Sequence, residues 1–111
     1  MAKLKIALAQ INTLVGDVPG NARQINAALE SARDTHGADL IVFQELALSG
    51  YPPEDLLFHQ GLRYQLDDAM VQVTAAATGI TVLVGYPEYA EECLYNAAAV
   101  LADGALLAYY R

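Results

Sequence analysis

Cationic side chains are scarce: 6 Lys plus Arg against 13 Asp plus Glu give a formal net charge of −7 over 111 residues. Phosphate-binding surfaces gain affinity by releasing counterions to basic side chains, so this balance excludes nucleic acid as a partner and opposes an anionic membrane face. Cysteine is nearly absent. Cys93 stands alone, and His36 and His59 have no Cys or His at metal-ligand spacing, which leaves no disulfide framework and no zinc site. Long apolar runs are missing as well. The longest charge-free stretch, Ala69 to Pro87, is interrupted by Gln72, Thr74, Thr78, Gly79 and Thr81 and is too polar for a bilayer span. The opening Met1-Ala2-Lys3 leads straight into Leu4-Lys5-Ile6-Ala7-Leu8 without the apolar stretch and cleavage site of a signal peptide, so a cytoplasmic location is expected. With 55% apolar residues and only 17% charged ones, the chain has the composition of a folded domain with a core.

Leu4, Ile6 and Leu8 alternate with Lys5, Ala7 and Ala9, which predicts a strand from Lys3 to Gln10. Gly16-Asp17-Val18-Pro19 offers a helix start with Asp17 as cap. Ile25, Ala28, Leu29 and Ala32 then form one apolar stripe, so a helix over about Pro19 to His36 is expected, with Gly37 at its end. The continuous apolar run Leu40-Ile41-Val42-Phe43 reads as an internal strand ending at Gln44-Glu45. Gly50, Pro52 and Pro53 make Leu46 to Phe58 a shaped loop, with a helical turn from Glu54. Leu62, Leu66, Ala69, Met70, Val73 and Ala77 repeat at helical spacing, and Gly79 separates that helix from a strand over Ile80 to Val84. Glu88 to Glu92 reads as an acidic, solvated break. Beyond it, Leu94 to Leu101 and Ala105 to Tyr110 flank Asp103-Gly104, a strong hairpin signal. Alternating strands and helices followed by a hairpin define an α/β class with a mixed sheet covered by helices.

Arg111 follows an apolar strand with no covering helix after it. The expectation is a portion of a larger domain, with exposed apolar surface or an unpaired edge.

Several catalytic signatures are missing: G-x-x-x-x-G-K-[ST], G-x-G-x-x-G after a strand, H-E-x-x-H and G-x-S-x-G do not occur. What remains is the segment Phe43 to Leu57. Glu45 stands at the carboxyl end of an internal strand, where open α/β sheets place ligand crevices. Partial burial there raises a carboxyl pKa towards working pH and suits a general base, whereas the structural alternative is a carboxylate bonded to loop amides.

Phe43 to Leu57, with Ile6-Ala7-Leu8-Ala9-Gln10-Ile11-Asn12, Val15-Gly16-Asp17 and Asn21, resembles the nitrilase superfamily of carbon-nitrogen hydrolases. Within it, Gln44-Glu45-Leu46 followed by Ser49-Gly50-Tyr51-Pro52-Pro53-Glu54-Asp55-Leu56-Leu57 is similar to the glutaminase domains of the glutamine-dependent NAD+ synthetase family. The resemblance runs from Lys3 to Arg111 and covers less than half of such a glutaminase domain. It implies part of an α-β-β-α sandwich, a mixed sheet with helices on one face, and a Glu-Lys-Cys triad. Glu45 matches the glutamate that takes the thiol proton. Thioester formation splits amide hydrolysis into two easier steps.

The family's lysine typically directly follows an arginine placed like Arg111, and Lys3 and Lys5 match no part of the motif. Cys93, within Glu91-Glu92-Cys93-Leu94-Tyr95-Asn96 at the start of a hairpin strand, does not match the family's nucleophile, and neighbouring carboxylates suppress a thiolate. The 111 residues alone are therefore expected to be inactive. Tyr51, framed by Gly50 and Pro52, matches a tyrosine beside the glutamine pocket and is the candidate substrate-binding residue, packing in the loop being its alternative role. Glu54 and Asp55 read as a cap or loop bonds, His36 as a helix-end residue and His59 as a loop polar group.

The resemblance also implies glutamine as substrate, a carboxyl-terminal synthetase domain as partner, homo-oligomerisation, no cofactor for this domain, and ATP with Mg2+ in the synthetase domain. Two other readings stay open: a nitrilase-type amidase acting on a small ω-amide or carbamoyl compound, and a non-catalytic α/β binding module.

Overall fold

A computed structural model describes residues 3–51, 60–90 and 93–111. The described residues form five strands and two helices in the order β1 (Ile6–Ala9), α1 (Val18–Asp34), β2 (Leu40–Phe43), α2 (Gln60–Ala76), β3 (Thr81–Ala90), β4 (Cys93–Ala102) and β5 (Ala105–Tyr110). They form one mixed sheet in sequence order, parallel across β1-β2-β3 and antiparallel across β3-β4-β5.

The expected strand from Lys3 to Gln10 shortens to four residues because β2, its partner among the described residues, is four residues long, the two pairing residue by residue from Ile6↔Leu40 to Ala9↔Phe43. Helix α1 begins where Asp17 accepts from the Gly20 amide at 3.1 Å, with Pro19 in the first turn. It stops where the Thr35 and His36 amides both turn back to the Ser31 carbonyl and Gly37 takes a φ of 65°. His36 is thus a helix-end residue, as expected.

Val18, Ala22, Ile25 and Leu29 of α1 and Leu62, Leu66, Ala69 and Val73 of α2 are buried against Ile41, Phe43, Val82, Val84, Ala97, Ala99 and Leu101. Alternation along the strands sends these sheet residues to one face, and among the described residues no helix packs on the other. On β1, Ala7 and Ala9 pack against the core while Ile6 and Leu8 stand exposed on the opposite side. The expected exposed apolar surface is present.

One expectation fails. Glu88 is not part of a solvated break, because β3 continues through Tyr86, Pro87, Glu88 and Tyr89 to Ala90 and pairs with β4 along its length, from Val82↔Leu101 to Ala90↔Cys93. The Glu88 carboxylate tolerates this half-buried place because Arg111 and the Tyr86 hydroxyl bond to it. Glu91 and Glu92, and the loop segment with Glu54, Asp55 and His59, lie outside the described residues. Asp103 and Gly104 have φ of 54° and 73°, the positive pair that a tight hairpin turn needs.

Candidate active site at the end of strand β2

Chain geometry around Glu45 is fixed from three sides. Before it, Gln44 donates from Nε2 to the Ile11 carbonyl at 2.7 Å and accepts from the Ile11 amide at 3.3 Å, tying β2 to the segment after β1. After it, Leu46 takes a φ of 50°, a left-handed conformation that a branched side chain adopts only when its surroundings enforce it. The turn closes with the Gly50 amide donating to the Leu46 carbonyl at 2.9 Å, and the buried Ser49 hydroxyl reaches the Leu46 and Gly50 carbonyls. Beneath it lies Gly85 of β3. A Cβ there would stand 2.6 Å from the Leu46 nitrogen and 3.0 Å from the Gln44 oxygen, so only glycine lets β3 come this close.

Asn21 is the third support. Fully buried on α1, it accepts from the Leu14 amide at 2.9 Å and donates to the Leu14 and Leu48 carbonyls at 2.9 and 3.1 Å. One side chain therefore joins the loop after β1 to the turn after β2.

Glu45 stands at the rim of a depression of about 400 Å³, lined also by Phe43, Gln44, Leu83, Gly85, Asn96, Ala97, Ala98, Tyr110 and Arg111. Asn96 on β4 donates from Nδ2 to Glu45 Oε1. Among the described residues Glu45 forms no ion pair; Arg111, its cationic neighbour at the depression, bonds to Glu88 instead. One carboxylate oxygen is thus fixed by a neutral amide, an arrangement that leaves the other to accept a proton.

The expected partial burial of Glu45 is not found. Glu45 is exposed, because no helix or strand among the described residues covers the sheet face beside it. Tyr51 is 64% exposed and is not among the residues that line the depression, so the structure does not bring the two candidate residues together. Cys93 opens β4, as expected of a hairpin strand. Lys5 lies ahead of β1, its amide donating to Asp39 Oδ2. Among the described residues, no group of three or more His, Cys, Asp or Glu is placed to hold a metal ion, and no helix is long and apolar enough to cross a membrane.

Asn96 and Gly85 carried signals that the sequence reading did not use. Asn96 is the polar exception in the strand Leu94 to Leu101, and a glycine inside a strand marks a close backbone approach.

This fold, with a carboxylate at the carboxyl end of an inner strand, is that of a carbon-nitrogen hydrolase. The model of the carbon-nitrogen hydrolase family matches residues 5–111, and the chain belongs to that family. Among curated proteins, the glutamine-dependent NAD+ synthetase of Xylella fastidiosa is 49% identical over 108 residues, covering 97% of this chain and 20% of the relative. That of Thermotoga maritima is 43% identical over 114 residues, covering all of this chain and 19% of the relative. The chain therefore spans about one fifth of the length of these relatives.

Among solved structures, the glutamine-dependent NAD+ synthetase from Acinetobacter baumannii superposes with a TM-score of 0.89 at 32% identity, covering 96% of this chain and 20% of that one. An amidase from Nesterenkonia sp. AN1 superposes with a TM-score of 0.86 at 26% identity, covering 97% of this chain and 42% of that one. That amidase structure shows covalent addition of an acetamide moiety at the active-site cysteine.

Proposed function

We propose that this chain forms the amino-terminal part of the glutaminase unit of a glutamine-dependent NAD+ synthetase, with Glu45 as general base. The observation that carries this reading is the placement of Glu45: a carboxylate on a backbone made rigid by Gln44, Leu46 and Asn21, oriented by Asn96 and without an ion-pair partner among the described residues. Glu45 takes the proton of a cysteine thiol as sulfur attacks the side-chain carbonyl of glutamine. Collapse of the tetrahedral intermediate returns that proton to the departing ammonia and leaves a thioester, which water, activated by the same carboxylate, hydrolyses to glutamate.

The cysteine and the lysine that stabilises the oxyanion are supplied from outside these 111 residues, since Cys93 and Lys5 sit at the start of β4 and ahead of β1. On their own, the 111 residues are expected to release no ammonia from glutamine. Tyr51 borders the glutamine site as that site is completed, and the ammonia serves a carboxyl-terminal synthetase domain in a cytoplasmic homo-oligomer. ATP and Mg2+ act in that domain. The sequence carries no G-x-x-x-x-G-K-[ST] motif, and among the described residues no group of three or more His, Cys, Asp or Glu is placed to hold a metal ion, so no step here is routed through either.

The amidase superposition supports a second reading, hydrolysis of a small ω-amide by the same base. A chimera separates the readings: this chain replaces the matching segment of the Xylella fastidiosa enzyme, and ammonia release is measured with glutamine and with small aliphatic amides. Glutamine turnover that falls about 100-fold or more in the Glu45→Gln chimera is the expected result. A loss of only a few fold would count against the base, and preference for small amides would favour the amidase.

A further inference from the structure

Glu88 is the half-buried carboxylate that the proposed reaction does not use. Its side chain is 16% exposed, and Arg111 donates from Nε to its Oε1 at 2.6 Å. The same guanidinium lies 4.3 Å from the ring centre of Tyr95 on β4 and 5.2 Å from that of Tyr109 on β5, within cation–π range of both. Exposed ion pairs contribute little, but this one combines a shielded acceptor with two aromatic faces.

Strand alternation gives the anchor its direction. Glu88 shares the parity of Val84 and Tyr86, which are buried on the helix side, whereas Asn96, Ala98 and Tyr110 belong to the side of the sheet that Glu45 borders. Arg111 therefore sends its side chain away from Glu45 while its residue, with Tyr110, closes one wall of the Glu45 depression. Backbone pairing of β5 with β4 runs from Ala102↔Ala105 to Ala98↔Tyr110, with a register shift between Val100 and Leu101. Among the described residues β5 is an edge strand, hydrogen-bonded to β4 alone, so a side-chain anchor adds a restraint that pairing on one side does not supply.

We propose that Glu88 is a positioning residue: by gripping Arg111 from the helix side of the sheet, it fixes the end of β5 in the wall of the depression that Glu45 borders. This rests on the general-base role of Glu45 proposed above. The test uses the same chimera. Glu88→Gln is expected to lower kcat for glutamine by about 10- to 100-fold, the penalty of a displaced catalytic wall, with KM within about threefold of the parent. Arg111→Gln is expected to match it, and the double variant to fall no further, since both residues act through one contact. Tyr95→Leu, which leaves no charge unpaired and so guards against a variant that fails to fold, is expected to lower kcat by about 3- to 10-fold. Unchanged kcat in Glu88→Gln or in Tyr95→Leu, a rise in KM alone, or losses that multiply in the double variant would overturn the proposal. A parent chimera without glutamine turnover would instead remove the reading beneath it, so the two failures are distinct.

Discussion

Asn96 donates its side-chain amide to Glu45 across 51 positions of sequence, so the orientation of the candidate base is set by β4 and not by its own loop. The bond joins the end of the second parallel strand to the antiparallel hairpin and makes the geometry of the candidate site depend on sheet register.

The Asn96 contact makes a graded outcome testable in the chimera. Asn96→Ala removes the donor and is expected to lower kcat about tenfold, through a carboxylate that samples more rotamers. Asn96→Asp sets a second negative charge against Glu45 and is expected to be worse than alanine. Measured kcat in the order wild type, Ala, Asp is the expected result; an aspartate variant as active as the parent would show that the contact does not orient Glu45.

Asn21, itself fully buried, joins two loops with three hydrogen bonds, one buried and two part-buried, and its role is structural. Asn21→Ala leaves the Leu14 amide and the Leu14 and Leu48 carbonyls short of a partner. Buried polar groups left unpaired cost about 1–3 kcal/mol each, and partial rescue by water brings the expected total to about 2–4 kcal/mol in urea unfolding. Asn21→Asp keeps an acceptor for Leu14 but loses both donors, so it is expected to be destabilised as well. An unchanged urea midpoint in either variant would refute the role.

Tyr86 supplies a pH dependence. Burial first, and then the Glu88 carboxylate beside it, push its phenol up to about 12 from the ordinary 10. The folded chain holds this proton more tightly than the unfolded chain, so stability is complete below pH 10 and falls as pH rises from 10 towards 12. The full loss is about 2–3 kcal/mol, and Tyr86→Phe is expected to abolish this part of it. Urea midpoints of parent and variant between pH 9 and 11.5 measure the difference; parallel curves would contradict the assignment.

What was legible in the sequence follows from how local the signal is. The Asp17 cap, the Gly37 stop, the Asp103-Gly104 turn and the apolar run Leu40 to Phe43 are each decided within a few residues, and each forms where expected. The extent of β3 is not local. Pro87 and Glu88 argue against a strand when read alone, and they are accommodated because β4 pairs with them and Arg111 neutralises the carboxylate from 23 positions away. The site divides in the same way. Glu45 was readable from its place after an internal strand, whereas Asn96, Gly85 and Arg111 become part of the site only through sheet register. The burial expected of Glu45 did not follow, since burial depends on what covers the second face of the sheet.

That second face gives the last expectation. Leu8 is 79% exposed on it, while Ile41, one strand inward and on the helix side, is 1% exposed. In the 111-residue chain, Leu8→Lys should therefore change stability by no more than about 0.5 kcal/mol, because the side chain makes no buried contact to lose. Ile41→Ala should cost about 2–5 kcal/mol, the usual range for emptying a packed core position. Leu8→Lys should also weaken the binding of a hydrophobic dye and reduce self-association at high concentration, since it interrupts an apolar patch that includes Ile6. Urea unfolding and light scattering on the two variants test both halves. A Leu8→Lys cost comparable to that of Ile41→Ala would mean that this face is already covered within the chain, and the description of a sheet with one bare side would then be wrong.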